Sequence, residues 1–287
     1  MLGSAIRPAL AAVGHSTSAL VRRVPTENET EWDPRHAFDP QKLNGYDAVI
    51  HLAGKNISGL WTESFKREVR DSRVRGTQTL AAAAAKSFRA AGMPKKFVAA
   101  SAIGYYGDRG DELLTEQSTP GSGFLADVCQ EWEAATAPAT EAGIRVVNLR
   151  IGVVLAKQGG ALKAMLPAFR LGLGGRVGNG RQFWSWIALD DLVKVFLFAL
   201  ANDNLRGPVN AVGPNPASNA EFTRALAKVL RRPAVFPLPA FVVKTLFGEM
   251  GESLLLASAR VQPTKLEAAG YVFRHPDLAG ALRSILG

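Results

Sequence analysis

The sequence predicts an α/β protein: a doubly wound parallel sheet followed by a smaller, mostly helical C-terminal cap. Three observations carry this. Short apolar runs at Tyr46–Leu52, Lys96–Ser101 and Arg145–Arg150 have the length and content of buried strands. Helical patterns at residues 61–90 and 124–142 separate them. From Pro214 onward, short helical patterns alternate with prolines, and a strand is expected only near Val235–Phe236. Sheets of this kind bind ligands beyond the carboxyl ends of their strands.

The elements follow in order. Ala5, Leu10 and Val13 recur at helical spacing, Gly14 supplies a stop, and Ser18–Val21 is a short strand. The first 26 residues lack acidic side chains but hold Arg7, Arg22 and Arg23, also the profile of an organellar transit peptide. The strand–helix alternation downstream favours the structural reading. The run at Tyr46–Leu52 ends at Ala53-Gly54, and Phe65, Val69, Val74 and Leu80 mark the long helix that follows. Residues 157–186 are rich in Gly and aromatics. There Trp184 and Trp186 form either a stacking floor for a ligand or a seal between domains. Residues 189–201 return to helical spacing, with Asp190-Asp191 as an acidic helix start. The expected division is a sheet domain at 1–212, with 157–186 contributing to a cleft, and a cap at 213–287.

Composition excludes several classes. With 47% hydrophobic and 21% charged residues, the chain is neither disordered nor fibrous. The lone Cys129 excludes a disulfide framework and a cysteine-based metal site, and four scattered His offer no metal constellation. No apolar run reaches the ~18 residues of a membrane span, so no membrane is expected, and the protein is read as soluble and cytoplasmic. The net charge of +9 invites a nucleic-acid reading. Against it, the basic residues are scattered and no nucleic-acid module appears. An acidic small molecule explains the charge as well.

Tyr46–Gly54, Ser101-Ala-Ile-Gly-Tyr-Tyr-Gly107 and Gly159-Gly-Ala-Leu162 resemble extended short-chain dehydrogenases/reductases. Phe124–Glu133 and Trp186-Ile-Ala-Leu-Asp-Asp191 narrow this to the epimerase-like subfamily with its own C-terminal domain, some of whose members are linked by name to cell division. The resemblance implies a Rossmann-type fold and NADP as cofactor. Arg22 and Arg23, at the end of the second strand, suit a 2′-phosphate where an acidic residue would favour NAD. Leu52, Ala53, Gly54, Glu68, Arg73 and Val154 match positions that line the cofactor in such relatives. The start of the chain departs from the pattern. Gly3 matches only the last glycine of the phosphate turn, and the first strand is missing. That loss would leave the neighbouring strands with unpaired edges. A mis-assigned start codon is the favoured explanation and a truncated chain the alternative.

The catalytic pattern departs too. The superfamily's Tyr-x-x-x-Lys is absent, and Phe124 or Leu125 stands where the tyrosine would be. The remaining candidates are Ser101, which is offset by one residue from the family's serine position, and Tyr105 or Tyr106 as proton donor. Two functions stay open: an NADP-dependent oxidoreductase or epimerase acting on a small molecule, and a catalytically silent NADP-binding sensor or scaffold.

Overall fold

A computed structural model describes residues 1–287. Six strands matter for the site: β1 (Ala19–Val21), β2 (Glu29–Glu31), β3 (Ala48–His51), β4 (Lys96–Ala102), β5 (Arg145–Ile151) and β6 (Gly207–Ala211). The helices are α1 (Leu2–Ala12), α2 (Glu63–Ala91), α3 (Phe124–Ala134), α4 (Ala137–Glu141) and α5 (Gly160–Arg170), then α6 (Leu189–Ala201), α7 (Asn219–Leu230), α8 (Ala240–Gly251), α9 (Thr264–Ala268) and α10 (Leu278–Leu286).

Four strands make one parallel sheet in the order β6-β5-β4-β3. Its central strands carry apolar side chains on both faces, so both faces must be covered. On one face α1 and α6 bring Ile6, Leu10, Leu192 and Phe196 against Val98 and Val147. On the other, α2 and α4 bring Leu80, Ala81, Ala84 and Ala139 against Val49, Phe97 and Val146. This is the doubly wound arrangement that the sequence predicts. Thr62 starts α2 by accepting from Phe65 N, and Gly92 ends it in the left-handed region at φ 70°.

The sheet is in two pieces. β1 pairs with β2 in parallel, and neither is hydrogen-bonded to β3. The edges of β1 and β3 are therefore both unpaired. The pieces share one core, because Trp32, next to β2, packs edge-on against His51 of β3 at 5.7 Å.

Two expectations need correcting. The helix expected over 124–142 breaks between α3 and α4, where Pro138 sits in the first turn of the second helix. No strand forms at Val235–Phe236. Pro233, Pro237 and Pro239 remove ladder donors, and the segment makes only isolated bridges to Leu173 and Val177.

The C-terminal region is helical, as expected, and packs α5, α7 and α10 around Trp184 and Trp186. Both tryptophans are buried, at 7% and 1% exposure, so they seal this core and form no stacking floor. Asp191, at the start of α6, accepts from Arg274 N and His275 N and ties down the C-terminal segment. No helix is long and apolar enough to cross a membrane.

Candidate functional site

The residues expected to line a nucleotide lie at the carboxyl ends of β1 and β3 and at the start of α1. Helix α1 has no side-chain cap at Met1, so its first amide groups are open to an anion. A Cβ on Gly3 would stand 3.7 Å from Leu52 Cδ1, which places the helix start beside the end of β3. Met1 covers Gly159, just ahead of α5, where a Cβ would come within 2.5 Å of its Sδ. Val154 and Leu52 pack against the same apolar cluster. Gly3, Leu52 and Val154 are thus drawn to one region.

Arg22 and Arg23 follow β1 and are both exposed, but they are not equivalent. Arg23 donates to Glu29 Oε1 at 2.7 Å and to Val24 O at 3.0 Å. Hydrogen bonds from Thr26, then Arg23, hold the Glu29 carboxyl at about 2, well below its ordinary value. Arg22 makes no hydrogen bond or ion pair within the chain, so its guanidinium is the one free to meet a ligand phosphate.

A second group surrounds the turn after β3. Ala53 is half-buried and Gly54 exposed, and a Cβ on Gly54 would approach Arg73 Cζ to 3.3 Å. Glycine there lets the Arg73 side chain lie along the backbone. Arg73 donates to Val69 O at 3.0 Å and faces the Trp132 ring at 5.1 Å, and burial pulls its pKa down. Glu68 pairs with Lys55, whose ammonium sits 4.6 Å from the Phe65 ring centre. Glu68 and Arg73 of α2 therefore both fix this turn.

On the catalytic side the candidates belong to a buried polar network. Ser101 is 3% exposed and donates to Glu133 Oε1 at 2.7 Å. Arg150 binds both oxygens of Glu133 at 2.8 Å each, and its third nitrogen donates to the Tyr106 hydroxyl at 3.0 Å. Burial opposes the Arg150 charge, but Glu133 outweighs it and holds the guanidinium protonated. The Tyr106 hydroxyl lies 2.9 Å from Thr115 O and 2.7 Å from Asn210 Oδ1. Tyr106 is fully buried, which raises its pKa. Tyr105 differs. It is half-buried, its ring lies under Arg150 at 3.4 Å, and the side-chain hydrogen bonds of this segment are made by Ser101 and Tyr106, none by the Tyr105 hydroxyl. Ser101 and Tyr106 have committed hydroxyls, whereas Tyr105 has a free one.

Phe124 meets Trp61 edge-on at 5.2 Å, with the Lys66 ammonium 5.5 Å from its ring, so this position holds an apolar wall and no acid. Cys129 is buried, with its thiol pushed up to about 12 by burial, and is inert. The partners that sequence reasoning missed are Glu133, Arg150 and Asn210. Arg150 did carry a signal, since a charged side chain inside an apolar strand requires a buried partner.

The profile of the NAD dependent epimerase/dehydratase family matches residues 1–232. The chain belongs to that family. Residues 238–285 match a further profile described only as a domain of unknown function, DUF1731. An epimerase family protein of Mycobacterium bovis is 44% identical over 98% of this chain and 93% of its own length. The crystal structure of the human epimerase family protein SDR39U1 with NADPH superposes with a TM-score of 0.90. It is 35% identical and covers 99% of this chain and 95% of its own. A nucleoside-diphosphate sugar epimerase from Corynebacterium glutamicum gives 0.81 at 39% identity, over 100% of this chain and 56% of that one. The resemblance to extended short-chain dehydrogenases is borne out.

Proposed function

We propose that this epimerase family member binds NADP(H) and exchanges a hydride with a small carbonyl or hydroxyl substrate, with Tyr105 as the proton donor. The observation that carries the cofactor reading is the pairing state of the two arginines after β1. Arg23 is held by Glu29 and Arg22 is free, which suits a dianionic 2′-phosphate. The human relative crystallised with NADPH supports the same choice. The open first turn of α1 at Gly3 would take pyrophosphate, Leu52, Ala53 and Gly54 the adenosine side, and Val154 the nicotinamide side. Glu68 and Arg73 would hold the turn against which the cofactor lies. Bound NADP(H) would supply or accept the hydride.

The chain's own contribution would be the proton. A reacting oxygen near Tyr105 would meet the one phenol of the Ser101–Tyr106 segment with an uncommitted hydroxyl. Ser101 and Tyr106 would act indirectly, by holding Glu133 and Arg150 in place against that ring.

The test is a titration with NADPH and NADH, followed by a carbonyl and sugar-nucleotide panel read by NADPH absorbance. NADPH should bind more tightly than NADH, and Tyr105→Phe should lower turnover by ~10²–10⁴-fold. Equal affinities would remove the cofactor reading. Tight NADPH binding without turnover on any substrate would instead support a silent cofactor-binding module.

A further inference from the structure

Two stretches of the C-terminal half contain no acidic residue: 142–189 and 222–248. In the fold they run side by side, with Phe236 N donating to Gly174 O at 3.2 Å and Leu238 N to Arg176 O at 2.8 Å. At the end of α7 an open groove of about 420 Å³ is lined by Thr223, Arg224, Lys228, Arg231, Arg232 and Pro233, among others. None of its four cations is ion-paired. The carboxylate nearest in sequence, Glu221, is engaged by the Ser218 cap. Next to the groove, Leu171, Leu173, Val235 and Phe236 stand 74, 56, 69 and 56% exposed. This is a basic concavity with an apolar rim.

We propose that this face docks on an anionic lipid surface. The groove takes headgroup phosphates, and the four apolar side chains enter the acyl boundary. A second copy of this chain would bring like charge against like charge, and a nucleic acid would leave the apolar rim without a partner. An anionic bilayer satisfies both features at once. The absence of a membrane span does not bear on this, because a surface contact needs none.

Sedimentation of the full chain with phosphatidylcholine vesicles, with and without about one-third phosphatidylglycerol, tests the proposal. Binding should require the anionic lipid and weaken as salt rises. An Arg231→Ala/Arg232→Ala variant should bind about 25-fold more weakly, at roughly fivefold per cation. Leu171→Ala/Phe236→Ala should lose at least about tenfold through its apolar area. Circular dichroism melting should show both variants folded like the parent chain. The proposal fails if anionic vesicles are not bound, or if neutral and anionic vesicles bind alike. It also fails if the apolar variant binds like the parent, since charge adsorption alone would then be at work. Full competition by soluble glycerophosphoglycerol would assign the groove to a free phosphate ester and overturn the lipid docking.

Discussion

The guanidinium of Arg150 lies 3.4 Å from the ring centre of Tyr105 and is fixed there by two hydrogen bonds to Glu133. Arg150 leaves the interior of β5, Glu133 projects from α3 and Tyr105 follows β4, so three elements meet in one contact. Helix α3 opens with Phe124 and Leu125, neither of which carries an exchangeable proton. The same helix still organises the site, through a carboxylate nearer its C-terminal end.

That ion pair predicts a large stability effect. Arg150 and Glu133 side chains are 3% and 12% exposed, so removing one leaves the other desolvated and unpaired. Glu133→Ala should cost about 3–5 kcal/mol in urea unfolding. Replacing both partners, Glu133→Leu with Arg150→Met, should recover most of that loss because no buried charge remains. A double variant as unstable as the single one would show that the network acts through packing alone.

The two arginines after β1 should separate in cofactor binding. Arg22→Ala should remove most of the preference for NADPH over NADH, while Arg23→Ala should change it less, because Arg23 is already engaged by Glu29. Isothermal titration with both cofactors measures this. Reversed sensitivities would place the 2′-phosphate on Arg23 and require the Glu29 pair to open.

How much of this was legible depended on whether the signal was local. β4 and β5 could be read because burial on both faces writes a largely apolar run, Phe97–Ala100 in β4 and Val146, Val147 and Leu149 in β5. β2 could not, since Glu29-Thr-Glu31 has no apolar residue and is a strand only through its pairing with β1. The break between α3 and α4 was written in Pro138, although the helical spacing runs on across it. Ser101 was visible as a polar group at the end of a buried strand, and Tyr105 and Tyr106 just after it. Which of them has a free hydroxyl depends on Glu133, Thr115 and Asn210, brought in from elsewhere in the chain, and no spacing rule encodes that.

The open edges of β1 and β3 make a further prediction. A strand lying between them could pair on both sides, and its end would lead into α1 beside Leu52. A variant with five or six apolar residues and a glycine-rich turn added ahead of Met1 should melt at least about 4 °C higher. It should also bind NADPH more tightly, because the added turn would supply backbone amides to the pyrophosphate. An unchanged melting temperature would mean that the edges are closed to a new strand.

His51 should impose an acid limb on stability. Its ring is 2% exposed, lies 5.7 Å from Trp32 and 6.4 Å from Phe97, and leaves Nε2 without a hydrogen-bond partner. Burial alone pushes its pKa down to about 4. In the unfolded chain the same group titrates near 6.5. Between those values the unfolded state binds a proton that the folded state refuses, so stability falls as pH drops from about 6.5 to about 4. Urea unfolding at pH 7 and pH 5 should show the parent chain losing about 2 kcal/mol more than a His51→Leu variant. At pH 7 the two should differ little, because the substitution removes an unsatisfied polar atom while keeping an apolar side chain in the core. Equal losses in both proteins would mean that His51 takes up its proton without leaving the folded state.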